Sequence, residues 1–194
     1  MPSPPPLSEN DLWLLSFYRT SEVSGALFFG RVARSVHPGP LQRDITHHFA
    51  DEANHARWWS ECVDDLGAAP LNLGRAYQDD YLGAAGLPAN VMEVLAITQV
   101  FEKRAINLYH RHMRLDGVHP RVAQTLDRIM GDERWHIQYV RAALREQEAV
   151  HGPEAIEATL RRFSEADDAV FARLMAECGE RFPYIADGAV GSTR

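Results

Sequence analysis

The chain has 194 residues, 45% of them hydrophobic and 24% charged, which is enough for one domain with a sizeable core and far from a disordered composition. A formal net charge of -7 argues against nucleic acid as the main partner, and two isolated cysteines, Cys62 and Cys178, make neither a C-x-x-C pair nor a disulfide framework. The opening "MPSPPPLSEN" lacks a basic segment followed by an apolar one, and nowhere do 18 apolar residues run together, so a cytoplasmic protein without a membrane span is expected.

Residues 1–8, with prolines at 4 to 6, read as a flexible tail. Ser8 and Asp11 form a capping-box pattern that opens a first helix over 9–36, closed by Pro38, Gly39 and Pro40. A second helix over 41–66 carries Ile45, Phe49, Trp59, Cys62 and Leu66 on one apolar stripe, with Trp58 and Trp59 as packing aromatics, and stops at Gly67 and Pro70. Residues 67–90 show no sustained period and read as a long connection; Tyr77, Asp79, Asp80 and Tyr81 within it cover the bundle or serve as a lid or dimer contact. Asn90 with Glu93 starts a third helix over 91–115, and Asp116-Gly117 stops it. Pro120 suits the first position of a fourth helix, which runs to 150; Gly152-Pro153 closes it and opens a fifth over 153–182. A tail follows from 184 to 194. The prediction is all-α: one domain over 9–183, with four long helices and a fifth packed on them.

Three Glu-x-x-His pairs interrupt this pattern: Glu52/His55, Glu133/His136 and Glu148/His151. With 9 histidines in 194 residues, chance supplies roughly 0.6 such pairs, so their setting has to distinguish them. Glu148/His151 lies at a helix end against Gly152 and reads as a decoy. Glu52 instead shares the stripe of Ile45 and Trp59, and Glu133 shares that of Leu126, Ile129, Val140 and Leu144. Each pair therefore places a carboxylate on an apolar face, where an unpartnered charge costs several kcal/mol or more and a shared cation offsets that cost. Glu22 lies on the stripe of Leu15, Tyr18, Ala26 and Phe29, 30 residues before Glu52; Glu102 lies on that of Leu95, Ile106 and Tyr109, 31 before Glu133. The two halves repeat, and i, i+3 spacing brings each Glu and His to one helix face.

Glu22, Glu52, His55, Glu102, Glu133 and His136 together resemble the ligand set of the ferritin-like di-iron carboxylate proteins, which include rubrerythrins, ferritins and several oxygenases. The resemblance spans residues 9 to 150 and implies a ferritin-like four-helix bundle whose long connection crosses over between the second and third helices, with an additional C-terminal helix. It implies two iron ions, with manganese or a mixed pair as alternatives; Glu22 and Glu102 would be terminal, and Glu52 and Glu133 bridging. Hard oxygen donors with two imidazoles suit those metals better than zinc. Two departures from rubrerythrins stand out: Gln99 and Ala105 occupy the positions three from Glu102, where an extra glutamate is expected, and no C-x-x-C module is present. Both favour an oxidase or oxygenase that uses dioxygen or hydrogen peroxide on a small organic substrate, with an external electron donor and a homodimer among the expected partners. Peroxide reduction or iron oxidation and storage is the first alternative, and a metal-free helical interaction protein the second.

Four more residues are secondary candidates. His48, one turn before Glu52, is either a partner of a ligand or plain surface polarity in "THH". Tyr109 and Tyr139 are core aromatics or hydrogen-bond partners of a ligand, with a radical relay as a further alternative. Gln99, with Thr98, is a candidate for lining a substrate cavity.

Overall fold

Ser8 caps the first helix as predicted. Its Oγ accepts from the Asp11 amide at 3.0 Å while Asp11 Oδ2 accepts from the Ser8 amide at 3.3 Å, which satisfies two donors that a helix start otherwise leaves open. The computed structural model describes residues 7–185, and every regular element among them is helical. The elements are α1 Glu9–Ser35, α2 Pro40–Asp65, α3 Tyr77–Ala85, α4 Val91–Met113, α5 Pro120–His151 and α6 Pro153–Cys178, followed by a 3-10 turn over Gly179–Arg181. Local chemistry sets their ends. Pro40, Pro120 and Pro153 each begin a helix, where a missing amide donor costs nothing. Asn90 Oδ1 accepts from the Glu93 amide at 3.0 Å to start α4. Gly152 separates α5 from α6 at φ +78, a backbone region that a side chain would strain.

The α1–α2 and α4–α5 pairs are antiparallel hairpins joined by short links, and α2 packs on α5 to unite them. The α6 helix lies along α4, while α3 bridges α6 and α1. The backbones of α1 and α4 stand farther apart, and side chains such as Tyr18 and Tyr109, with ring centroids 5.0 Å apart, fill the interval. Leu14, Leu15, Trp59, Cys62, Leu126, Ile129, Val140 and Phe163 are almost completely buried in the core. Each such large apolar side chain contributes roughly 1.5–3 kcal/mol through removal from water. No described helix is long and apolar enough to cross a membrane.

Three expectations change. The connection over 67–90 is not structureless, because it contains α3, so the described residues form six α-helices and not five. Nine residues between Gly74 and Gly86 are too few to display a 3.6-residue period, and too few to be stable alone. What holds α3 is docking: Tyr77 and Tyr81 are buried, and the Tyr77 hydroxyl donates to Asp167 Oδ1 of α6 at 2.6 Å. Phe49 is 38% exposed and does not belong to the buried stripe of α2, which runs through Ile45, His48, Glu52, His55, Trp59 and Cys62. Its ring flanks that stripe and lies against Gly30 of α1. Finally, the core continues past residue 183: the Tyr184 ring stacks on His112 at 5.1 Å, its hydroxyl meets that of Tyr18, and Ile185 packs beside it. The rest of the predicted tails, residues 1–6 and 186–194, lies outside the described residues.

Candidate metal centre

Glu22 of α1, Glu52 and His55 of α2, Glu102 of α4, and Glu133 and His136 of α5 are all buried and converge at mid-bundle. Their donor atoms form two groups, Glu22/Glu52/His55/Glu133 and His48/Glu52/Glu102/His136, in each of which one atom per residue lies within 4.8 Å of the others. Glu52 belongs to both. Around the first group, His55 Nδ1 lies 3.6 Å from Glu22 Oε2, 3.5 Å from Glu133 Oε1 and 4.0 Å from Glu52 Oε1. Around the second, His136 Nδ1 lies 3.0 Å from Glu133 Oε2 and 3.9 Å from Glu52 Oε1. All six predicted residues are therefore brought together. Glu148 and His151 belong to neither group, and Glu148 is exposed.

His48 is a seventh member. The reading of "THH" as surface polarity fails for it, since its side chain is 0% exposed while that of His47 is 61% exposed. Helix phase separates the two neighbours: residue 48 faces the stripe and residue 47 turns toward solvent, beside Trp135.

Each imidazole presents one nitrogen inward and has the other held from outside. His55 Nε2 donates to Asp132 Oδ2 at 3.3 Å, His136 Nε2 donates to Asp51 Oδ2 at 3.2 Å, and His48 Nδ1 meets the Tyr139 hydroxyl at 2.8 Å. Such outer contacts orient a ligand ring and select its tautomer. The two aspartates cross between halves, Asp51 of α2 serving α5 and Asp132 of α5 serving α2. Sequence reasoning missed both, although a signal was present: Asp precedes Glu in "DEANH" and "DERWH", whereas the decoy reads "QEAVH". Tyr109 and Tyr139 are at once core aromatics and hydrogen-bond partners, since the Tyr109 hydroxyl donates to Glu22 Oε1. Thr98 lines a small apolar cavity with Phe28 and Phe29, but Gln99, although buried, lines neither that cavity nor the one described below.

The electrostatics of this cluster are unbalanced in protein atoms alone. Glu52 Oε2, His55 Nδ1 and Glu102 Oε1 are buried without any hydrogen-bond partner. Burial raises the Glu52 carboxyl well above its ordinary range, and the nearby Glu22, Glu102 and Glu133 push it further. Burial raises Glu102 and Glu133 as well. For His55, burial acts downward, but Asp132 and Glu22 win and raise it to about 10; for His136, Glu133 and Asp51 overcome burial in the same way, also to about 10. Burial, reinforced by His136, lowers His48 well below its usual value. Two divalent cations would match the charge of the four carboxylates, and inward-facing oxygen and imidazole donors suit such ions. Gly25 makes room for this arrangement: a Cβ there would collide with Glu52 Oε2.

A cavity of about 30 Å³ opens on the centre between α1 and α4, bordered by Ser21, Glu22, Glu52, Phe101, Glu102 and Tyr109. It has room for a small diatomic molecule or about one or two waters. Comparison of the chain with protein-family models, curated proteins and solved structures finds no match.

Proposed function

We propose that this protein is a non-haem di-iron oxidoreductase on a ferritin-like bundle, which uses dioxygen or hydrogen peroxide to oxidise or oxygenate a small organic substrate, with electrons from an external donor. One observation carries the reading: two four-donor groups share Glu52 and leave Glu52 Oε2, His55 Nδ1 and Glu102 Oε1 buried without a partner among the protein's atoms. Polar atoms in that position are costly unless something not yet counted binds them.

The arrangement supports distinct roles for the acids. Glu133 turns Oε1 toward His55 and Oε2 toward His136, and Glu52 belongs to both groups, as bridging carboxylates would. Glu22 reaches only the His55 group and Glu102 only the His48/His136 group, as terminal carboxylates would. Two iron ions held by these residues would supply the paired electrons that two-electron reduction of dioxygen or peroxide requires. Asp51 and Asp132 hold the imidazoles of His136 and His55 with their inner nitrogens directed at the acids. Tyr109 donates a hydrogen bond to Glu22 and keeps that carboxylate in place. Trp59, Leu126 and Ile129, all 0% exposed, belong to the surrounding core that excludes water.

The small cavity favours a second reading, peroxide reduction or iron oxidation without an organic substrate, because it fits an oxidant but not a larger molecule. Anaerobic loading with iron(II), and separately with manganese(II), followed by elemental analysis tests the shared premise. Two ions per chain are expected, and fewer than about 0.2 would overturn it. Dioxygen and peroxide consumption by the loaded protein, with and without an organic reductant, then separates the two readings.

A further inference from the structure

We propose that His48 is itself a metal ligand, the third imidazole of the centre, so that the two metal positions differ in chemistry. The inference rests on the di-metal reading and adds to it. One position is formed by His55 with Glu22, Glu52 and Glu133; the other is formed by His48 and His136 with Glu52 and Glu102, and Glu133 turns its second oxygen toward His136 there.

Geometry points first to the Nε2 atom. It is hydrogen-bonded to Glu52 Oε1 at 3.2 Å and lies 3.0 Å from Glu102 Oε1. Despite that closeness, Glu102 Oε1 accepts no hydrogen bond, because the atoms approach without the alignment an N–H donor needs. One proton on Nε2 can serve Glu52 but leaves Glu102 Oε1 unsatisfied beside it, whereas a cation in its place would satisfy both carboxylate oxygens at once. The opposite nitrogen, Nδ1, is engaged by Tyr139 at 2.8 Å, so His48 has the same two-ended arrangement as His55 and His136: a partner outside and the other nitrogen turned to the acids within. The ring is also fixed in place, stacked between Phe29 at 3.7 Å and His136 at 3.6 Å.

The internal repeat supplies an independent argument. When "DEANH" is aligned with "DERWH", His48 falls on Ile129, and both residues are completely buried. Packing at that register is met by an apolar side chain in one half, so the imidazole in the other half needs a further reason to bear the cost of its desolvation. Coordination provides it. The consequence is one oxygen-rich position and one with two nitrogens, and the latter will take the more imidazole-preferring ion when two different metals compete.

The test uses cobalt(II)-loaded protein and proton NMR. Exchangeable imidazole N–H protons of coordinating histidines shift far outside the normal range, and here each is shielded by its outer partner. Three such resonances are expected in the wild type and two in His48→Gln, with the second cobalt equivalent bound more than about 100-fold more weakly in the variant. Two resonances in the wild type, unchanged in His48→Gln, would show that His48 only positions Glu102 and would overturn the inference. Because the wild-type count decides the matter alone, a poorly folded variant does not protect the idea. Failure of the wild type to take up cobalt at all would overturn the di-metal premise, an outcome distinct from two bound ions and two resonances.

Discussion

Two clusters of buried charge lie within this one bundle, and they follow opposite rules. Around Arg104, every charge has its counterpart: Nε donates to Asp167 Oδ2 at 2.8 Å, Nη2 donates to Asp168 Oδ1 at 2.7 Å, Tyr77 donates to the other oxygen of Asp167, and the guanidinium sits 4.2 Å over the Phe171 ring. That cluster ties α3 and α4 to α6 and is complete. At the centre of α1, α2, α4 and α5, four carboxylates meet three imidazoles, and three of their buried atoms have no partner. A closed ion-pair network and an open cluster that could hold a metal contain similar residues; what separates them is whether the protein's own atoms satisfy one another.

The largest difference should appear on replacing one carboxylate in each cluster. Glu52→Gln should abolish loading of both metal equivalents, read by elemental analysis, without lowering the melting temperature of the metal-free protein. The sign of its pH dependence follows from the raised carboxyl. The native state holds the Glu52 proton more tightly than the unfolded chain does, so the wild type bears no penalty below about pH 4.5 and a growing one as pH rises. The stability advantage of the variant should therefore be absent near about pH 4 and increase toward neutrality; a melting temperature below wild type at neutral pH would remove the distinction between the clusters. Asp167→Ala should do the reverse. It leaves Arg104 buried without its main partner and should cost about 3–5 kcal/mol in denaturant unfolding, with metal stoichiometry unchanged in the fraction that folds. Asp132→Asn keeps its size but weakens the outer contact to His55, so metal affinity should fall about 10- to 100-fold by titration calorimetry. Smallest of all, Glu148→Gln with His151→Gln should change neither metal content nor stability measurably. Any loss of metal there would show that Glu-x-x-His matters wherever it falls.

The contrast between the two buried, converging pairs and the one at a helix end was legible in the chain because burial is written as periodicity. Glu22, Glu52, Glu102 and Glu133 interrupt apolar stripes, and that, with the Glu-x-x-His spacing, the repeat between the halves and the resemblance to the di-iron carboxylate ligand set, selected the six residues that the fold brings together. His48 and Phe49 were harder. A hydrophobic residue beside a histidine draws the stripe toward itself, yet helix phase gives the buried place to His48 and leaves Phe49 at the edge. Asp51 and Asp132 were visible as a repeated letter but not as partners, because each contacts a histidine of the opposite half. The α3 helix escaped notice for a related reason: its order comes from Tyr77 docking on Asp167, 90 residues away in sequence.

The sequence by itself determined the five long helices, their ends, the internal repeat and the six residues buried at its centre, since each depends on spacing along the chain. Only the tertiary structure decided which acids straddle two positions, which aspartate holds which imidazole, and that His48 turns its Nε2 to Glu52 and Glu102. Those outcomes depend on the angles at which α1, α2, α4 and α5 meet. Helix packing is a property of several segments at once, so no single stretch of the chain records it.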